Sequence, residues 1–219
     1  MAILITGANR GIGLELTRRM KARGDNVIAV CRTASGELDA LGVRVETGID
    51  VGDGASVAEL AKRLHGVTLD VLINNAGILR SENLKDLDFA GIEEQFEVNA
   101  LGPLRVTAAL APLMRTGGKV AIVTSRMGSI ADNGSGGYYG YRMSKAAVNA
   151  AGVSLAHDLR GRGIAVVLLH PGMVATEMTG GHGIAPEEAA RGLLERIDAL
   201  TLETSGRFVH AGTGEVLPW

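Results

Sequence analysis

The chain carries one cysteine, Cys31, in 219 residues. That excludes an intrachain disulfide framework and any zinc site built from cysteine clusters, and it suits a reducing compartment. Aromatic residues make up only 3% of the sequence, too few for a platform on which nucleic-acid bases could stack. Neither sign of charge dominates, since 22 Lys and Arg stand against 24 Asp and Glu for a net charge of −2. This balance gives no electrostatic footprint for nucleic acid or an anionic membrane surface. No apolar run approaches the roughly 18 residues of a spanning helix. Met1-Ala2-Ile3-Leu4-Ile5 enters a strand pattern without the charged leader of a signal peptide. The five histidines lack metal-ligand spacing, so no metal is expected. The expectation is a cytoplasmic protein with neither nucleic acid nor membrane as partner.

Glycine, in contrast, is abundant at 31 residues, and 46% of the chain is hydrophobic, enough for a full core. Domains usually run to about 100–200 residues, so one domain over residues 1–219 is expected. Seven short apolar runs, at 2–5, 27–31, 43–45, 69–73, 120–123, 164–169 and 207–210, read as strands. Most are continuous and not alternating, the pattern of parallel strands covered on both faces. Helix-period stripes lie between them, such as Ile12, Leu16 and Met20, or Val57, Leu60 and Leu64. The fold class expected is α/β, a Rossmann-type doubly wound sheet of about seven mostly parallel strands.

Thr6-Gly7-Ala8-Asn9-Arg10-Gly11-Ile12-Gly13 follows the first strand and opens the first helix. Backbone N–H groups and the helix dipole converge there, a setting for a pyrophosphate. A glycine triplet alone is weak evidence, and this spacing departs from the standard dinucleotide fingerprint, but the strand-turn-helix context raises its weight. After the second strand an acid would bind an adenosine ribose hydroxyl. The sequence has Cys31-Arg32-Thr33 instead, and Arg32, with Arg10 in the turn, suits a 2′-phosphate. The cofactor expected is therefore NADP (NADPH) in preference to NAD.

Tyr141 and Lys145 stand four apart where helical periodicity resumes, so they share one helix face. A neighbouring ammonium stabilises a phenolate, which predicts a lowered Tyr141 pKa and a general acid/base pair. Such a spacing alone is commonly a surface pair. It gains specificity alongside the glycine turn, Asn74-Asn75-Ala76-Gly77 after the fourth strand and Thr124-Ser125 after the fifth. With these motifs, and with Asn149-Ala150 and the closing Gly214-Glu215-Val216-Leu217-Pro218-Trp219, the chain resembles the short-chain dehydrogenases/reductases. It is most similar to their small carbonyl-reductase-like branch, the Sniffer and C-factor type.

That resemblance implies a cofactor turn at Gly7, Gly11 and Gly13, with Asn9, Arg10 and Ile12 between them. It implies contacts to the adenosine end from Arg32, Asp50 and Val51, and a groove lined by Asn74, Ala76 and Gly77. Pro171, Gly172, Val174 and Thr176 would meet the nicotinamide end. The family tetrad falls on Asn99, Ser125, Tyr141 and Lys145, with Tyr141 as acid, Ser125 holding the same oxygen, Lys145 on the ribose and Asn99 binding a water linked to Lys145. Ser125 lies farther from Tyr141 than the family interval, which leaves Ser129 as a competitor. Ser125 is favoured because it directly follows a strand, where α/β sites form. The implied reaction is reduction of a small carbonyl, an apolar ketone, aldehyde or quinone, with Ile78, Leu79, Met173 and Met178 as candidate wall residues and 175–185 as a lid. A nucleotide-binding regulator of the same fold and an NAD-dependent alcohol dehydrogenase are the alternatives, and a homodimer is implied as well.

Overall fold

A computed structural model describes all 219 residues. Strands β1 (Ala2–Thr6), β2 (Asn26–Val30), β3 (Arg44–Glu46), β4 (Leu69–Asn74), β5 (Met114–Val123), β6 (Ala165–His170) and β7 (Phe208–His210) form one sheet. Its order is β3-β2-β1-β4-β5-β6-β7, and every neighbouring pair is parallel. All seven expected strands are present. The order reverses between β1 and β4, the switch point at which open α/β sheets form ligand crevices.

Successive residues of each strand feed opposite cores, so both faces must be apolar. Ile3, Ile5, Val71, Ile73, Ala121 and Val123 pack on one side, with Leu16 and Met20 of α1 (Gly11–Ala22) and Leu193 and Ile197 of α7 (Pro186–Asp198). Leu4, Leu72, Val120 and Ile122 pack on the other. There they meet Leu60 of α3 (Gly54–Arg63), Val106 of α5 (Gly102–Leu110) and Val148 of α6 (Tyr139–Arg160). The short α2 (Gly36–Asp39) buries Leu38 on the first side. Continuous apolar runs are thus the chemical counterpart of a sheet with no wet face.

Two departures from the sequence pattern have local causes. Strand β5 begins at Met114, earlier than its apolar run, because its register against β4 shifts between Leu69 and Val71. Gly117, with φ at +82°, absorbs the extra residues. The stretch around Asn99 is helical but not uniformly α: between α4 (Phe89–Phe96) and α5 the chain makes a wide π turn at Glu97–Leu101. Pro103 has no N–H to bond the Asn99 carbonyl in an α-helical pattern. The Gly102 N–H reaches back to the Glu97 oxygen instead, and such turns concentrate at functional positions.

Candidate active site

The glycine turn is shaped by close approach. A Cβ on Gly7 would lie 2.8 Å from the Ala76 Cα, and Gly7 has φ of +65°. A Cβ on Gly13 would collide with the Gly7 carbonyl oxygen and stand 2.6 Å from Asn75 Nδ2. Helix α1 opens at this point with no side-chain cap and no acid in its first turn. Its orphan N–H groups and dipole therefore face the crevice unopposed, a cradle that fits a pyrophosphate. The strand β4 end holds the turn from behind: Asn75 Nδ2 donates to the Thr6 and Gly7 carbonyls at 3.0 and 3.1 Å. The Asn75 and Ala76 amides both donate to Thr6 Oγ1.

Asn74 and Asn75 are oriented differently. The Asn74 side chain does not line the groove but turns beneath the sheet, donating to Thr107 Oγ1 at 3.0 Å, and is 2% exposed. Period-two alternation explains this, since the last residue of a strand and its successor point to opposite faces. Asn75 is the residue that reaches the turn, and the same alternation could have singled it out.

The other residues read as cofactor contacts fall in three places. Asn9 stays with the turn, its carbonyl accepting from Ser35 Oγ at 2.7 Å, and Ile12 packs on the core behind it. At the ends of β2 and β3, Arg32 Nη1 lies 4.0 Å from Asp50 Oδ2, both well exposed. Val51 instead turns inward, buried against Gly102. After β6, Pro171 and Gly172, with φ of +89°, lead into Val174, which bridges Ile184 at the base of the loop. Thr176 then folds over Gly11, where a Cβ would be 3.2 Å from the Thr176 methyl. Next to it Glu177 forms an exposed ion pair with Arg10. The loop expected as a lid is thus tied to the glycine turn.

Ser125, Tyr141 and Lys145 converge beyond the end of β5, each less than a tenth exposed. Ser125 Oγ accepts from the Met127 amide at 3.1 Å, starting a short 3-10 turn. Gly128 in that turn must be glycine, since a Cβ would meet the Lys145 backbone at 2.7 Å. Ser129, the competing serine, is spent on a local turn to the Asp132 amide. Tyr138 and Tyr139 begin α6, Tyr138 at the left-handed cap position with φ of +51°. Lys145 Nζ sits 5.7 Å from the Tyr141 ring centroid and donates to the Val123 carbonyl at 3.0 Å.

Burial governs the protons of this pair. Desolvation pushes the Tyr141 phenol up to about 12, with Ser125 pulling weakly the other way. It pushes Lys145 down to about 8. The lowered Tyr141 pKa expected from the sequence is therefore not found in the free protein, because burial penalises the charged phenolate more than its neighbours favour it.

Asn99 is fully buried, and its side chain clamps Ile78 by both backbone groups, accepting from the amide and donating to the carbonyl at 2.8 Å each. Nδ2 also donates to Ser144 Oγ at 3.1 Å, and Ser144 donates to the Tyr141 carbonyl. Its Oδ1 nevertheless faces the same space as Lys145 Nζ: a Cβ on Gly77 would lie 3.2 Å from the first and 3.7 Å from the second. Beyond these, His170 is held neutral by burial, pushed down to about 4, beside His210. Trp219 stacks on Phe208, its carbonyl bonded by the Ala131 amide. The sequence reading missed Glu82, Gln95 and Ser144, polar residues buried around the start of α6.

Known proteins resemble the chain over most or all of its length. Residues 1–185 match the family model for short chain dehydrogenase. A 1-hydroxy-2-glutathionyl-2-methyl-3-butene dehydrogenase from Rhodococcus sp. (strain AD45) is 48% identical, over 99% of both chains. The protein C-signal of Myxococcus xanthus is 52% identical over 69% of this chain and 93% of its own. An NADPH-bound carbonyl reductase from chicken fatty liver superimposes with a TM-score of 0.90 at 29% identity, over 100% of this chain and 98% of that one. A glycine cradle on a seven-stranded parallel sheet, matched by relatives near half identity, leaves one conclusion: the chain belongs to the short chain dehydrogenase family of oxidoreductases.

Proposed function

We propose that the protein is a single NADP-binding domain that reduces a small carbonyl compound to its alcohol, with Tyr141 as the general acid. The observation that carries this reading is the convergence of Ser125, the buried Tyr141 phenol and the Lys145 ammonium at the strand ends beside an uncapped glycine cradle. Gly7, Gly11, Gly13 and Gly77 would hold the dinucleotide, and Arg10 and Arg32 would take a 2′-phosphate through their guanidinium forks. Bound there, the nicotinamide supplies reducing equivalents as hydride.

Tyr141 keeps its proton to about 12 in the free protein, so it enters the reaction as a phenol. It donates that proton to the carbonyl oxygen of the substrate as this oxygen becomes an alkoxide. Ser125 Oγ–H stabilises the same oxygen by a hydrogen bond made as charge develops. The Lys145 ammonium, 5.7 Å from the ring, stabilises the phenolate left behind. Asn99 fixes Ile78 and, through Ser144, the Tyr141 carbonyl.

The named dehydrogenase from Rhodococcus favours a second reading, oxidation of an alcohol by the same groups with Tyr141 as base. The name C-signal favours a third, a regulator that binds the dinucleotide without turnover. A titration with NADPH and NADH followed by a panel of carbonyls and alcohols separates the three. The proposal expects NADPH to bind more tightly than NADH and to be oxidised by a carbonyl, with turnover lost in Tyr141→Phe while NADPH still binds. An Arg32→Glu protein that keeps its NADPH affinity would overturn the cofactor assignment. Half-exposed Leu101, Leu104 and Met143 would form the face of a homodimer, which light scattering tests directly.

A further inference from the structure

Helix α6 begins badly for a helix of 22 residues. Its cap residue, Tyr138, has a left-handed backbone and contributes no side-chain hydrogen bond, so the first-turn N–H groups need another acceptor. Glu82 supplies it from 58 positions away: its carboxylate accepts from the Gly140 amide at 3.3 Å, and its backbone carbonyl accepts from the Tyr138 amide at 2.8 Å. Glu82 is only 4% exposed. Arg80, two residues before it, pairs with Glu94 instead.

The partner that holds Glu82 is Gln95, fully buried in α4. Gln95 Nε2 donates to the other Glu82 oxygen, and Gln95 Oε1 accepts from the Arg80 amide at 2.9 Å. The junction is tight, since a Cβ on Gly140 would stand 3.0 Å from the Ile92 Cα and collide with the Gln95 amide. Gly140 immediately precedes Tyr141. The Tyr141 carbonyl is held in turn by Ser144 and Asn99. Two buried polar pairs, Glu82 with Gln95 and Ser144 with Asn99, therefore grip the backbone on either side of the phenol.

We infer that Glu82 and Gln95 are positioning residues for Tyr141, fixing the start of α6 so that the phenol stays aligned with the Ser125 site. The inference rests on the reading of Tyr141 as the acid. In Glu82→Gln one oxygen becomes an NH₂ group and faces either the Gln95 amide or the Gly140 N–H, donor against donor. Misplacing a reacting group by about an ångström costs up to about 100-fold in rate. Turnover should therefore fall at least tenfold or so, while NADPH affinity stays within about twofold, because the glycine cradle lies on other elements and Lys145, a turn further along α6, is held separately by the Val123 carbonyl. The double variant Glu82→Gln/Gln95→Glu reinstates an acceptor for every donor, and turnover should recover to within a few-fold of the parent.

Turnover unchanged in folded Glu82→Gln would overturn the inference. So would NADPH affinity falling in step with turnover, or a double variant that melts like the parent yet stays slow. Loss of cooperative melting in both variants would also overturn it, by making the pair a requirement for folding. If Tyr141→Phe itself retained turnover, the fault would lie with the acid assignment and not with these two residues.

Discussion

Replacing Lys145 with methionine should make the protein more stable near neutral pH while removing its activity. Burial lowers Lys145 from 10.5 to about 8. At roughly 1.4 kcal/mol per pH unit, carrying the charge costs about 3 kcal/mol more in the folded chain than in the unfolded one near pH 7. Methionine fills a similar volume without that cost, but it leaves the Val123 carbonyl, now bonded at 3.0 Å, without a partner, which costs about 1–2 kcal/mol. A net gain of about 1–2 kcal/mol follows. The direction with pH is fixed by the depressed value. The penalty is complete below about 8 and fades as pH rises towards 10.5, because the folded lysine then becomes neutral before the unfolded one does. By pH 10 most of it, about 2–3 kcal/mol, has gone, and the variant should be the less stable protein. Tyr141, pushed up to about 12, stays a phenol in the folded chain up to pH 10, so its attraction for Lys145 does not enter the difference over this range. Urea unfolding of both proteins across this range, compared as a difference, is the assay. A variant less stable at pH 7, or a difference that does not move with pH, would refute the reasoning.

The remaining predictions concern the cradle and its lid. Gly13→Ala drives a Cβ into the Gly7 carbonyl and Asn75, disturbing two hydrogen bonds and a tight contact, so about 2–4 kcal/mol of stability should be lost together with NADPH binding. Gly36→Ala, at the start of α2 with nothing within 4 Å, should be neutral or stabilising by up to about 1 kcal/mol; equal urea midpoints for the two variants would sink the argument. Glu177→Gln frees Arg10 from an exposed pair worth at most about 1 kcal/mol. It should tighten NADPH up to about fivefold and leave NADH unchanged, and equal gains for the two in a calorimetric titration would refute a 2′-phosphate at Arg10.

The fold was legible because a buried parallel sheet writes itself as continuous apolar runs, and all seven were found in sequence order. The glycine turn was legible for a similar reason, since Gly7 and Gly13 answer to steric limits that no other residue meets. Burial itself was not. The Tyr141 and Lys145 spacing gave their shared face, but their protons depend on how completely later elements cover them, which reversed the expected direction for the phenol. The support around them was equally hidden. Glu82 and Gln95 look like ordinary surface polar residues in a stretch without a motif, and only the packing of α4 against α6 brings them to Gly140. The wide turn at Asn99 did leave a trace, in Pro103 four residues on, which removes the amide an α-helix would have used.

The glycine turn is held from behind by Asn75, whose partners Thr6 and Gly7 are 69 and 68 residues earlier in the chain. During synthesis, β1, α1, β2 and β3 emerge long before β4 does, and until β4 slots in beside β1 the turn lacks its rear wall. Capture of a dinucleotide thus becomes a reporter of assembly: it tests whether the two halves of the sheet have joined, and ligand that binds only the joined form drives that joining by mass action. Added NADPH should therefore raise the yield of native protein recovered from urea and slow its unfolding without speeding the pairing of the central strands, acting as a late clamp and not as a nucleus.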